Sequence, residues 1–337
     1  MNIFLTFFPF LFFFLIFKYL GFKLNIVDYP NQRKIHTNPV LLIGGLIIFF
    51  SLSFFFLFFE YTTYELNVFI FSFFFLILGF LDDLYDLNYK IRFFFQMLII
   101  ICYLYYSKIL ITDLGQIYPN LTLNLGTLSF FITLFLMLAF INAFNFIDGA
   151  DGVSSGLLLV SILCFLTSLF YFDQNNISRI LEPLAILLLL FLIINLDFLK
   201  KFGIQKIFLG DSGTYFLGFF YSSILIYHLQ IDSIEPSIAL WCNSIIIFDF
   251  VTVIIKRSIK RKNPFIFDNS HLHHVLRNNF ISDIKIFYFI LISSFLLFLI
   301  GFFINIFLNH YLSLLAFSVF FLIYLFFNIK FSNIKKI

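Results

Sequence analysis

Residues 66–87 read LNVFIFSFFFLILGFLDDLYDL. No charged side chain occurs from Leu66 to Leu81, and then Asp82, Asp83 and Asp86 follow in close succession. An uncharged apolar run suits a helix in the hydrocarbon core of a bilayer, which takes about 20 residues. The carboxylates that end it belong at the membrane rim, because an unpaired charge in lipid is costly. If the helix continues through them, Asp82, Asp83 and Asp86 stand three and four positions apart and share one face. The same alternation of long apolar run and short polar break continues along the whole chain.

Composition agrees with this pattern. The chain has 337 residues, of which 62% are hydrophobic and 12% charged, with 59 Phe. A soluble domain has about 25% charged residues, so there is too little polar surface here to coat a water-soluble globule of this size. Disorder and a collagen-like repeat are excluded by the same figures. The net charge of +3 comes with no soluble basic module, so nucleic acid is not an expected partner. Cys102, Cys164 and Cys242 are odd in number, lie in apolar runs and lack metal-ligand spacing. The Phe excess reads as lipid-facing bulk.

Apolar runs between polar breaks predict eleven helices, at 3–22, 42–60, 66–81, 93–111, 127–143, 153–172, 181–198, 213–230, 237–255, 286–308 and 311–329. The expected fold is an all-α polytopic integral membrane protein with about 10–11 transmembrane helices, forming a single domain over 1–337. The first run has no basic start and no small-residue cleavage site, so it reads as a span and not a signal peptide. With alternating loops, 18 of the 21 Lys and Arg fall on one face. The excess of cations marks that face as cytoplasmic, which puts the N-terminus outside. In the outer loop, Thr122 to Leu125 alternate like a short strand.

The acids are sorted as well. All four Glu fall on the outer side, whereas 11 of the 14 Asp lie on or near the cytoplasmic side. Loop charge accounts for some of these, but charge sorting in loops concerns cations and requires no acids there. Short carboxylates beside cations suit a Mg²⁺–phosphate site, since Mg²⁺ takes few carboxylates and keeps waters and phosphate oxygens.

Four polar clusters interrupt the apolar chain on this face. Asp82-Asp83 is the first. The second is Asn142-Ala143-Phe144-Asn145-Phe146-Ile147-Asp148-Gly149-Ala150-Asp151-Gly152, with glycines for close backbone approach and amides able to donate to sugar or phosphate oxygens. The third is Gly210-Asp211-Ser212-Gly213, preceded by Lys206, a turn that can open a helix and form an anion nest. The fourth is the basic loop 256–285, with Arg257 and then His271-Leu272-His273-His274. Its histidines can ligate a transition metal, but with cations beside them and no Cys, phosphate binding is the better reading. Polybasic loops also meet anionic lipid, which explains the Lys and Arg and not the histidines. Asp249 stands apart, inside an apolar run about two turns from its end. Arg33, Lys34 and His36 complete the cytoplasmic set.

Taken in this order, the clusters resemble the polyprenyl-phosphate N-acetylhexosamine-1-phosphate transferases, in their WecA/TagO-like branch, a family related to the phospho-MurNAc-pentapeptide transferases. The likeness runs from Asp28 to His274. His-x-His-His resembles that branch, whereas the muramyl-pentapeptide branch typically has three consecutive histidines. The chain departs from the family pattern at Thr214, where Ser is usual, and at Asn269, where Arg often precedes the histidines.

The resemblance implies a reaction in which a UDP-N-acetylhexosamine gives its sugar-1-phosphate to polyprenyl (undecaprenyl) phosphate and releases UMP, with GlcNAc the default sugar. It implies Mg²⁺, with Mn²⁺ as a substitute, and a multi-pass protein of the cell inner membrane that meets membrane lipid. A homodimer is compatible with it. Asp82 and Asp83 match the catalytic carboxylates, and Asp211 matches the metal ligand. Asn145, Asp148 and Asp151 match the nucleotide and metal region, and His271, His273 and His274 match the phosphate-contacting histidines. Lys206, Arg257, Arg33, Lys34 and His36 are the accompanying substrate-binding candidates. The alternatives are the muramyl-pentapeptide reaction and a transporter of anionic or lipid-linked cargo. A transporter places its charges near the bilayer midplane in repeats. Only Asp249 leans that way, and no repeat is evident.

Overall fold

A computed structural model describes residues 4–30, 38–58, 61–118, 121–172, 179–261, 271–277 and 282–332. Its elements, in chain order, are α1 (Phe4–Lys23), β1 (Val27–Asp28), β2 (Val40–Leu42), α2 (Gly44–Phe58), α3 (Thr63–Tyr85), α4 (Tyr89–Ser107), β3 (Asp113–Tyr118) and β4 (Leu121–Asn124). They continue with α5 (Ser129–Ile147), α6 (Val153–Tyr171), α7 (Leu181–Asn195), β5 (Ile207–Phe208) and α8 (Gly210–Gln230). The last are α9 (Pro236–Cys242), α10 (Ser244–Ile259), α11 (Leu272–Arg277), α12 (Asp283–Phe307) and α13 (His310–Ser332).

Among the described residues, each of the eleven predicted apolar runs is mainly helical, and the run at 237–255 is divided between α9 and α10. Among the described helices, seven are long and apolar enough to cross a bilayer, or eight if α9 and α10, bent by 81° at their break, form one span. The fold is an all-α polytopic membrane protein. The expected count of ten or eleven spans is higher than this, for a physical reason. Helices α2 and α7 are apolar, but each has 15 residues. At 1.5 Å per residue, each covers only about 22 Å of a hydrocarbon core about 30 Å thick. Helix α8 carries Asp211, Ser212, Thr214, Ser222, Ser223 and His228. Many Phe side chains of α1, Phe4, Phe8 and Phe12 among them, stand exposed on the protein surface, as lipid-facing residues should.

Helix ends follow local chemistry. Thr62 and Glu65 form a capping box at the start of α3: Thr62 Oγ1 accepts the Glu65 N–H at 3.2 Å, and Glu65 Oε2 accepts the Thr62 N–H at 2.9 Å. The helix runs four residues beyond the predicted end and stops where Asp86 turns left-handed, with φ at 48°. Pro236 opens α9, a position where its missing N–H costs nothing.

The chain forms two compact units, 1–103 with 178–221 and 104–177 with 222–337, and two of the three boundaries fall within α4 and α8. In the first, β1 pairs antiparallel with β2, and β2 pairs parallel with β5, placing Leu41 opposite Val27 and Ile207. This small sheet leads directly into the first residue of α8. Phe49 stacks on Phe69 at 4.6 Å and meets Phe216 edge-on, while Phe75 stacks on Phe219 at 4.6 Å. In the second unit, Trp241 is buried and donates its indole N–H to Ser313 Oγ at 3.0 Å. Strands β3 and β4 form an antiparallel hairpin, in line with the expected strand at Thr122.

Candidate active site

The candidate residues form one group in each unit. In the first unit they gather around the start of α8. Gly79 of α3 passes so close that a Cβ added there would lie 2.2 Å from the Asp211 carbonyl oxygen. This approach brings Asp83 onto the first turn of α8. Asp83 Oδ1 accepts the Asp211 N–H at 2.7 Å, and its Oδ2 accepts the Ser212 N–H at 3.0 Å. Helix starts leave such N–H groups without intrahelical partners. Here a carboxylate from another helix satisfies two of them and complements the positive helix end.

Asp82 turns inward and is buried. Its Oδ2 accepts from the Tyr215 hydroxyl at 2.7 Å and from Arg92 Nη1 at 3.1 Å, and its Oδ1 accepts the Leu87 N–H at 2.8 Å. Arg92 also donates to the Tyr215 oxygen at 3.3 Å. Asp86 is exposed and ends the helix. The three carboxylates therefore do not crowd a common rim, as their spacing predicted. Each has a separate environment, and one is neutralised by Arg92. Lys206 lies 5.0 Å from the ring centroid of Phe208, just before α8.

In the second unit, Asn145 is in the last turn of α5, and Asp148 follows as that helix ends. Ser154, in the first turn of α6, donates its hydroxyl to Asp148 Oδ1. Burial pushes the Asp148 carboxyl up to about 6; the Ser154 hydrogen bond opposes that shift, and the Asp151 charge adds to it. Both aspartates are partly buried. A Cβ at Gly149 would fall 2.1 Å from His273 Nε2, so only a glycine lets this loop lie against the histidine.

His271 and His273 are buried, and their rings stack with centroids 6.0 Å apart; His274 follows at 4.1 Å from His273. Burial holds His273 well below the ordinary imidazole range, reinforced by His274, His271 and Arg277. His271 Nε2 and both ring nitrogens of His273 are buried without a hydrogen-bond partner among the described residues. Arg257 is buried, its guanidinium carbon 5.8 Å from the Phe146 ring centroid. Next to α11, a cavity of about 530 Å³ opens among α10, α12 and α13, lined by Phe248, Leu272, Ile290, Phe320 and Tyr324 among others.

Arg33, Lys34 and His36, with Asp268 and Asn269, lie outside the described residues. Arg92 and Tyr215 join the candidate site through Asp82. In the sequence Arg92 is one cation among many of the basic face, and Tyr215 has no signal beyond its place four residues after Asp211.

Among the described residues, no three His, Cys, Asp or Glu side chains are grouped to hold a metal ion. Mg²⁺ asks for less than such a group, since it needs one or two carboxylates and completes its shell with phosphate and water. Asp82 and Asp83 spend their oxygens on the donors named above. Asp211 in the first unit and Asp148 in the second are each partly exposed, and their hard carboxylate oxygens are of the kind such an ion takes.

The family described as glycosyl transferase family 4 matches residues 65–229. An undecaprenyl-phosphate alpha-N-acetylglucosaminyl 1-phosphate transferase of Escherichia coli (strain K12) is 30% identical over 282 residues, covering 83% of this chain and 76% of that protein. The protein of the same name from Salmonella typhi is 32% identical over 267 residues, covering 78% and 72%. That of Haemophilus influenzae is 31% identical over 280 residues, covering 82% and 78%.

Proposed function

The chain belongs to glycosyl transferase family 4, and on that basis we propose that it transfers GlcNAc-1-phosphate from UDP-GlcNAc to undecaprenyl phosphate and releases UMP, within the cell inner membrane. The observation that carries the reading is the start of α8. There Asp83 fixes the turn bearing Asp211, while Arg92 and Tyr215 fix Asp82. A fixed turn that presents Asp211 beside a buried, neutralised Asp82 is a rigid framework suited to phosphate chemistry with a divalent ion. The names of the relatives favour this reaction over a transporter.

The reaction joins anions. An oxygen of the lipid phosphate attacks the sugar-bearing phosphorus of the donor. A new P–O bond forms as the bond to the UMP oxygen breaks, and UMP leaves with that electron pair. Asp211 in the first unit would hold a Mg²⁺ ion, with Asp148 in the second as the other candidate ligand, and a bound ion would supply charge neutralisation for the anionic donor. Near neutral pH the acceptor phosphate needs little deprotonation. Asp82, with three donors on its two oxygens, is built as a fixed electrostatic group and not as a free nucleophile. Direct displacement suits this better than a covalent aspartyl intermediate. The histidine row and Arg257 supply contacts to phosphate oxygens. The apolar cavity beside α11 supports accommodation of an apolar lipid tail.

Purified protein with Mg²⁺, undecaprenyl phosphate and a panel of UDP-N-acetylhexosamines tests the reading. UMP release with UDP-GlcNAc is expected. Absence of UMP with every donor, in lipid that supports a control transferase, overturns it. Turnover confined to another sugar overturns the GlcNAc assignment alone.

A further inference from the structure

Asp249 is the only acidic residue of α10, and the reaction above assigns it no part. A buried charge within an apolar helix needs partners. Its Oδ2 lies 2.7 Å from His271 Nδ1, and its Oδ1 accepts the Leu272 N–H at 2.7 Å and the Tyr324 hydroxyl at 3.4 Å. The side chains of Asp249 and His271 are 2% and 1% exposed. An ionised carboxylate only accepts hydrogen bonds, so Nδ1 is the ring nitrogen that carries the proton. The opposite nitrogen, Nε2, is buried and has no partner among the described residues. Leu272 begins α11, so a single carboxylate fixes both the histidine ring and the helix that follows it. Tyr324 holds that carboxylate from α13.

We propose that Asp249 is a positioning residue for the transfer reaction, fixing His271 as its Nδ1–H tautomer and presenting Nε2 to a phosphate oxygen of a substrate. The identity of that substrate rests on the transferase reading; the geometry of the pair does not. Nε2 accepts from a protonated phosphate or, once protonated itself, donates to an ionised one with Asp249 as its counter-charge. A carboxylate that orients a functional imidazole through its far nitrogen is a recurrent device, and its removal costs about 10–100-fold in function. A role confined to capping α11 predicts a different result, because it involves Leu272 and leaves the tautomer of His271 irrelevant.

The test uses the full chain in detergent or nanodiscs, labelled with ¹⁵N-histidine, with His271→Gln to assign the resonance. The wild type is expected to show His271 as the Nδ1–H tautomer. In Asp249→Asn, the new amide can donate to Nδ1, and the proton is expected on Nε2. An Nε2–H tautomer in the wild type, or no change in Asp249→Asn, overturns the proposal. This readout needs no substrate and no activity, so its failure is separate from failure of the transferase reading. Should Asp249→Asn not fold, the wild-type spectrum still decides the first of these outcomes.

Kinetics provide the second arm. Asp249→Asn and His271→Gln are each expected to lose about 10–100-fold in kcat/KM. The double variant is expected to lose no more than the worse single one, because the first residue acts through the second. Losses that multiply overturn the proposal. Separate titrations of UDP-GlcNAc and undecaprenyl phosphate identify the source of the oxygen by which KM rises. Unchanged KM for both together with unchanged kcat overturns it.

Discussion

Asp83 and Asp211, 128 positions apart in the chain, meet through the 2.7 Å hydrogen bond from the Asp211 N–H to Asp83 Oδ1. With the second bond from Ser212, the side chain of one helix becomes the cap of another. Asp83, in the last turn of α3, is therefore the device that sets the first turn of α8. A helix cap of this kind contributes about 0.5–2 kcal/mol. Asp83→Ala is expected to lower the melting temperature and abolish turnover together, while Asp83→Asn keeps one acceptor and loses less stability. Full stability of Asp83→Ala in a thermal melt would contradict the capping role.

Asp82 depends on Arg92 and Tyr215. Tyr215→Phe removes one bond to a charged acceptor, at a cost of about 1.5–3 kcal/mol. Arg92→Ala is expected to cost more than Arg92→Lys, since it leaves the buried carboxylate without its cation. Thermal melts of the three variants check the order. A tolerated Arg92→Ala would show that the pair does not stabilise this region.

Gly79 permits the approach of α3 to α8. An Ala in an exposed helix interior normally gains about 0.5–1 kcal/mol over Gly. Here the added Cβ would meet a backbone carbonyl oxygen at 2.2 Å, which no side-chain movement relieves. Gly79→Ala is expected to destabilise the protein and to lose activity in parallel with Asp83→Ala. A stabilised, active Gly79→Ala would contradict the close approach.

Asp148 makes the site sensitive to pH. Its carboxyl is raised from 3.8 to about 6 by burial, so the protonated form is the one the fold favours. The stability this group contributes is fully present below pH 3.8 and is lost as pH rises through about 6. A metal ligand must be ionised, and the proton competes with the ion. The Mg²⁺ concentration for half-maximal rate is therefore expected to rise as pH falls below about 6. In Asp148→Asn this pH dependence is expected to vanish. An unchanged Mg²⁺ requirement between pH 5 and 7 would remove Asp148 from the metal site.

Much of this was legible in the sequence. The apolar runs marked every long helix, because an apolar stretch in lipid has little choice but to satisfy its own backbone. Polar clusters such as Asn145 to Asp151 stood out because the surrounding chain is so poor in polar groups. What the sequence hid were pairings across distance. The two- and three-residue strands β1, β2 and β5 form through partners far along the chain and have no periodicity of their own. Tyr215 looks like one aromatic among many until Asp82 is placed beside it. Asp249 read as an isolated intramembrane acid, the one residue that leaned toward transport. Its partner His271 comes 22 positions later, after a polar stretch of sequence. The break between α9 and α10 was also invisible, since the apolar run continues through Asn243.

The proposed reaction moves a sugar phosphate, and not a sugar alone, to the lipid. Donor UDP-GlcNAc labelled with ³²P in its β-phosphate, incubated with purified protein, Mg²⁺ and undecaprenyl phosphate, tests this directly. The label is expected in the lipid fraction, with unlabelled UMP released in equal amount. Label that leaves as UDP, or that stays in the donor while a control transferase turns over in the same lipid, would contradict it.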